Sequence, residues 1–454
     1  MLKSSFRVQR LITQHRIRSI HHESGGMKQP MNALITCLPG LESILSSELA
    51  SLRIPHETVP LGAKLIQPSL RAIYQSNLFL GTASNILIPI GEPFSARALP
   101  ELRRKVAKIP WFQVLANPHV RLQVRVTTSK SKLQHSTAVQ ARVVAGIYEY
   151  LGYDIPSDQF TLEYPPSITD EDPLVRLDVR ILRDQVDIWL CAATTPLHRR
   201  GYRLETSKAP LREDLAYAML YGAGWRPSWS LQPRPYQRLL DPLCGSGTIA
   251  IEGAAMALGL APGRLRPPPL IGTRYEDTAM HQELLLKSSE KPSIRVVDSP
   301  VVVFASDRDV GAIHATRSNA HRAGVTSIMQ IQKCALSDHP LWAGQDSKTN
   351  EKSKSPLLVA CNPPFGKRVS KAKATSTDSN DDDDDDNRMA VKSLLPLYQS
   401  LHKLVTNTPN TSAVLLVQGT TLVRRAGWKG DEVFQSTHGG LAVTAIHAKR
   451  QKSR

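Results

Sequence analysis

Residues 239–257 constrain this chain more than any other stretch. Leu239-Leu240-Asp241-Pro242-Leu243-Cys244-Gly245-Ser246-Gly247-Thr248 runs from an apolar segment through a Gly-rich turn, and Ile249 to Ala257 then read as helix. A strand, a tight loop and a helix in that order define the start of an α/β unit whose ligand sits beyond the strand's C-terminal end. Glycines let the backbone approach a ligand, and the first helical amides face it. The spacing is neither Gly-x-Gly-x-x-Gly nor a phosphate loop, since no Lys follows the last Gly. A cofactor with a cationic methionine moiety fits better, with Asp241 as its electrostatic partner.

A second apolar run, Val301 to Ala305, ends in Ser306-Asp307-Arg308-Asp309. An acidic side chain ending the second strand of such a unit is placed to hold two ribose hydroxyls, and Asp307 is the choice because Asp309 suits a helix cap. Further on, Cys361-Asn362-Pro363-Pro364-Phe365-Gly366 follows another apolar run. An exocyclic base nitrogen is a poor nucleophile while its lone pair is delocalised, so an enzyme must position it and support pyramidalisation. The Asn362 oxygen and the Pro363 carbonyl are candidate acceptors for its two N–H bonds, Pro364 stiffens the turn, and Phe365 offers a face to an extruded base. Strands expected near 238–241, 301–305, 328–332, 357–361, 413–418 and 441–447, separated by helices, describe a doubly wound sheet with all three motifs at strand ends.

Asp241 to Thr248, then Ser306-Asp307, then Asn362 to Gly366 resemble the S-adenosylmethionine-dependent RNA methyltransferases that carry an N-terminal THUMP domain. The resemblance extends to Leu197-His198-Arg199-Arg200-Gly201-Tyr202-Arg203, to Lys208 to Ala216, and to the opening Met31 to Leu34 with Pro39 to Glu42. It spans roughly residues 31 to 450 and is strongest to the branch that methylates the 2-amino group of guanine in large-subunit ribosomal RNA; a related branch acts on transfer RNA. It implies an α/β chain with a C-terminal doubly wound, Rossmann-like methyltransferase sheet (196–450) after an α+β THUMP and ferredoxin-like RNA-binding region (31–195). It also implies S-adenosyl-L-methionine as cofactor, held by Ala209, Pro210, Asp241, Pro242, Cys244, Gly245, Ser246, Gly247, Thr248 and Asp307. Asn362, Pro363, Pro364 and Phe365 would form the catalytic base site. Transfer is direct, with no covalent enzyme intermediate. One departure stands out: where the family places an acidic residue for the adenine amino group, this chain has Lys333-Cys334-Ala335, with Asp338 the nearest carboxylate.

A formal net charge of +17 favours polyanionic partners by counterion release. Candidate phosphate contacts in the N-terminal region are Arg121, Arg125, Lys130, Lys132, Arg142, Arg176, Arg180 and Arg183, with Leu177 to Ile181 expected to have one wet face. Nothing approaches a membrane-spanning length, and the five cysteines show no zinc spacing, so neither a membrane nor a metal is expected. Cys244 and Cys361 flank the motifs as space-filling thiols, with no His placed to activate them. Residues 1–26 are basic and amphipathic with Glu23 as the only acid, the pattern of an organellar targeting segment, mitochondrial first, with a plastid or a cytoplasmic location as alternatives. The insert 370–388, with six aspartates from Asp381 to Asp386, is expected to be disordered because such a run repels itself. A DNA adenine methyltransferase and a catalytically silent RNA-binding or ribosome-assembly protein are the competing readings.

Overall fold

The structure is a computed structural model that describes residues 32–155, 165–206, 210–227, 229–230, 234–289, 301–343, 355–365 and 382–449. The targeting segment expected at 1–26 lies outside these residues.

Eight strands, β1 (Ala33–Cys37), β2 (His56–Val59), β3 (Gly62–Leu65), β4 (Ala83–Pro89), β5 (Phe94–Ser95), β6 (Arg121–Ser129), β7 (Leu174–Leu182) and β8 (Gln185–Cys191), form one sheet. Its order is β2-β3-β1-β4-β8-β7-β6, with β5 on β8. The pair β6–β7 is parallel and is bridged by the helix Ser136–Tyr150, whose buried face carries Val139, Val143 and Ile147. The polar face of β7 is wet only toward its end: Arg176 and Asp178 are 6% and 5% exposed, while Arg180, paired with Asp178, is partly exposed. The alternation in Leu177 to Ile181 misleads in part because period-two patterning cannot show that both faces are covered. Of the candidate phosphate contacts, Arg142 and Arg176 are therefore buried, and Arg121 is engaged with Asp170 and the Asp172 carbonyl; Arg125, Lys130, Lys132 and Arg183 are exposed.

The second sheet comprises β9 (Arg238–Asp241), β10 (Val302–Asp307), β11 (Met329–Lys333), β12 (Leu357–Cys361), β13 (Thr411–Val417), β14 (Asp431–His438) and β15 (Leu441–Ala448). Its order is β11-β10-β9-β12-β13-β15-β14, parallel except that β15 is antiparallel to both neighbours. The four central strands β10, β9, β12 and β13 are largely buried, as in β12, whose five residues are all covered, whereas the edge strand β11 carries exposed Gln330 and Lys333. Chain order reverses between β9 and β12, the place where doubly wound sheets open a crevice beyond their strand ends. The expected strands correspond to six of these seven; β14 was not anticipated.

The helix Thr278–Ser289 is capped by Asp277, whose carboxylate accepts from the Met280 N–H. One helical expectation needs correction. The insert does not stay irregular to 388: a helix runs from Asp382 to Asn407, while 370–381 lie outside the described residues. Acidic residues are favoured in a helix's first turn by its macrodipole, an effect that like-charge repulsion in a coil does not consider.

The two sheets meet through a buried ionic junction built from the Leu197 to Arg203 motif. Arg200, 2% exposed, donates to the carbonyls of Leu197 (2.7 Å) and Gly81 (2.5 Å) and lies 3.6 Å from Glu252. The Tyr202 hydroxyl donates to Glu252 (3.0 Å), and Arg203 pairs with Glu213 (2.7 Å). Glu48, from the N-terminal helix Glu42–Ser51, accepts from the Gly81 and Thr82 amides. Charges buried this thoroughly hold only while every partner is present, so the junction fixes orientation more than it adds net stability. Glu252 lies on the helix Thr248–Leu258, which carries the geometry of the junction to the Gly-rich loop.

Candidate active site

A cavity of about 1140 Å³ opens beyond the C-terminal ends of β9, β10 and β12. Pro210, Asp241, Pro242, Cys244, Gly245, Ser246, Thr248, Asp307 and the run Asn362 to Phe365 all line it. Gly247 stands behind the wall, and Ala209 lies outside the described residues.

The Gly-rich turn is held from two sides. Asp307 accepts the Gly245 N–H (3.1 Å) through one oxygen and the Asp309 N–H (3.0 Å) through the other. From the helix Val310–Arg322, the Thr316 hydroxyl donates to the Gly245 carbonyl (2.8 Å) and Asn319 Nδ2 to the Ser246 carbonyl (3.1 Å). Asp309 caps that helix through Gly311 N–H, leaving Asp307 as the acid that faces the cavity. Gly247, at φ +86°, is the N-cap of Thr248–Leu258 and makes no side-chain cap, so first-turn amides remain for a ligand. A Cβ on Gly247 would sit 2.8 Å from Thr316 Cγ2. We expect Gly247→Ala to lower stability by about 2 kcal/mol and to loosen ligand binding by shifting the loop, checked by urea unfolding and cofactor titration.

Asp241 ends β9 and is 1% exposed; its carboxylate accepts only the Leu243 N–H, at 3.3 Å. Burial, against that hydrogen bond and reinforced by Asp307, pushes its pKa up to about 8. No cationic side chain pairs with it among the described residues, which leaves a buried acid awaiting positive charge. Burial likewise pushes the Cys244 and Cys361 thiols upward, consistent with space filling.

At the end of β12, Asn362 Oδ1 is buried without a hydrogen-bond partner. Pro363 and Pro364 follow it in a turn whose backbone lacks two N–H donors. An orphaned amide oxygen of this kind costs free energy and marks a place where a ligand completes the bonding.

Three further segments complete the wall, of which the sequence singles out only the one around Cys334. Ser393, Leu394, Pro396, Leu397 and Ser400 come from the helix Asp382–Asn407, and Cys334 to Ser337 follow β11. His438, Gly439 and Leu441 form the β14–β15 hairpin; the Gly439-Gly440 pair between strand-like runs was its signal. Asp338 does not line the cavity, while Ser337 does and donates its hydroxyl to Asp338 (2.8 Å).

Residues 200–377 match the family described as RMKL-like, methyltransferase domain, and residues 32–87 match the RlmL ferredoxin-like domain. The chain is 30% identical over 424 residues to the ribosomal RNA large subunit methyltransferase K/L of Syntrophotalea carbinolica, covering 93% of this chain and 54% of that protein. The protein of the same name from Marinomonas sp. is 27% identical over 90% of this chain and 52% of its own length. The chain thus spans about half the length of the curated relatives it matches. Among solved structures, SMU.472 complexed with SAH has a TM-score of 0.70 at 24% identity, over 94% of this chain and 100% of that one. TrmN from Thermus thermophilus has a TM-score of 0.57 at 18% identity, over 93% and 100%. These likenesses establish the fold: the second sheet is a Rossmann-like methyltransferase sheet preceded by a ferredoxin-like region. The chain is thus similar to an RlmL-type ferredoxin-like domain over residues 32–87 and to an RMKL-like methyltransferase domain over residues 200–377.

Proposed function

We propose that this chain methylates the exocyclic 2-amino group of a guanine in ribosomal RNA, using S-adenosyl-L-methionine. The observation that carries this reading is the unpartnered Asn362 oxygen in the wall of a cavity shared with the Gly-rich loop, Asp307 and Asp241.

The residues present fit the cofactor. Asp241 offers a buried carboxyl group that would ionise against the cationic methionine part, and Asp307 retains lone pairs for ribose hydroxyls beyond its two backbone bonds. Gly245, Ser246 and Pro210 would line its path, and the wall from Cys334 to Ser337 would face its adenine. When bound, S-adenosyl-L-methionine supplies an electrophilic methyl group on a sulfonium. Asn362 Oδ1 and the Pro363 carbonyl accept the two N–H bonds of the base amine and orient its lone pair, while Phe365 packs on the base plane. The prolines keep these acceptors from reorganising during reaction. No general base is needed, because the nitrogen becomes acidic once alkylated and its proton passes to water.

The exposed Arg125, Lys130, Lys132 and Arg183 support RNA docking by the N-terminal region. The names of the relatives support ribosomal RNA as substrate, and the basic segment 1–26 supports delivery to mitochondria. One observation favours a silent RNA-binding protein instead: the absence of a carboxylate from the wall at Cys334 to Ser337. Mass spectrometry of mitochondrial RNA nucleosides, with and without the protein, tests the proposal. Loss of an N2-methylguanosine from large-subunit RNA is expected; an unchanged profile together with no calorimetric binding of S-adenosyl-L-methionine would favour the silent reading.

A further inference from the structure

Among the described residues lining the cavity, two side chains carry a buried polar atom with no hydrogen-bond partner: Asn362 Oδ1 and His438 Nδ1. The proposed function uses the first and leaves the second without a role. His438 ends β14, and the chain turns at Gly439-Gly440 to bring Leu441 opposite it in register. Both glycines have positive φ, +58° and +84°, the conformation of a two-residue type I′ turn whose twist matches its strands. The imidazole is therefore carried on a firm hairpin tip, and Gly439 and Leu441 line the same cavity beside it. A buried ring nitrogen left unpaired is as much an unfinished bond as the Asn362 oxygen.

We propose that His438 makes the site selective for guanine, its Nδ1 lone pair accepting the ring N1–H that adjoins the amino group held by Asn362. The inference rests on the function proposed above and deepens it. Any exocyclic amine can donate to Asn362, so that residue alone does not choose among bases. The ring nitrogens next to the amines of adenine and cytosine bear lone pairs, whereas guanine carries an N–H at N1. An acceptor placed there completes a bond with guanine and sets lone pair against lone pair with the other two. Sites built around a hydrogen bond reject analogues lacking it, because a buried polar group is then stranded. The acceptor role requires a neutral ring. Burial lowers the pKa of His438, Arg212 and Arg203 lower it further, and Asp214 opposes them.

The test uses the full chain and, first, the guanosine that the wild type methylates in large-subunit ribosomal RNA. Short synthetic RNAs then carry at that position guanine, 2-aminopurine, which keeps the amine and loses N1–H, or 3-deazaguanine, which keeps N1–H and loses the N3 acceptor. Wild-type kcat/KM is expected to fall roughly 100-fold with 2-aminopurine and to stay within about 3-fold with 3-deazaguanine. His438→Ala should lose roughly 30-fold on guanine and bring guanine and 2-aminopurine to near parity. His438→Gln, with an amide oxygen as acceptor, should recover most of the preference. A purely structural histidine would depress both substrates equally and keep their ratio, which overturns the inference, as does a large loss with 3-deazaguanine but not with 2-aminopurine. If the wild type methylates no guanosine, the proposed function falls and this inference with it; methylation with an unchanged ratio in His438→Ala removes the inference alone.

Discussion

Asn362→Ala should reduce methyl transfer by about 100- to 1000-fold while leaving the protein folded and able to bind its cofactor. The lost interaction is an acceptor aimed at charge that grows on the base amine, so kcat and kcat/KM should fall together and cofactor affinity should change little. Stability gives an independent reading. Asn362 Oδ1 is buried and unpartnered, and deleting an unsatisfied polar atom removes a desolvation cost, so the variant should unfold at the same or slightly higher urea concentration than the wild type. Single-turnover methylation, urea unfolding and calorimetry with S-adenosyl-L-methionine measure the three quantities. Unaltered turnover in a folded, cofactor-binding variant would remove Asn362 from the chemistry.

The contrast between Asn362 and His438 shows what one sequence makes legible. Asp241, Asp307 and Asn362 each follow a run of apolar residues, and a polar side chain at the end of a fully buried parallel strand stands out because every residue before it is covered. The strand order then brings those ends together at the reversal between β9 and β12 without further information. His438 ends a strand of a different kind. In β14 only Phe434 and Ser436 are buried, so the segment carries a weak alternating pattern at the sheet's edge, and its meeting with the cavity depends on the antiparallel return through β15. The wall supplied by Ser393 to Ser400 was hidden for another reason: Pro396 inside the helix speaks locally against it, and packing on the sheet overrides that. Arg176, Asp178 and Arg200 repeat the lesson for charge, since nothing in a charged residue's own neighbourhood reveals that a second element will cover it.

Asp241→Asn should produce opposite effects on stability and on binding, both depending on pH. In the ligand-free protein, burial first and the Asp307 charge second raise the Asp241 pKa from 3.8 to about 8 against the pull of the Leu243 N–H. The unfolded chain therefore sheds this proton near pH 4 while the folded chain keeps it to about pH 8. Across that window the folded state binds more protons, so this group's contribution to stability is complete below pH 4, declines as pH rises, and is gone above pH 8. An asparagine has no such decline. The variant should become progressively more stable than the wild type from pH 4 to pH 8, the full shift corresponding to about 6 kcal/mol by pH 9. Binding runs the other way. A cationic cofactor needs the ionised carboxylate, so wild-type affinity should strengthen by up to about tenfold per pH unit between pH 6 and 8, with uptake coupled to proton release, and then level off. The variant should bind weakly and without that slope. Calorimetry in buffers of different ionisation enthalpy counts the released proton, and thermal unfolding at pH 5 and 9 reads the stability term. If affinity and its pH slope survived in Asp241→Asn, the charge that holds the cofactor would have to be sought in Asp307 instead.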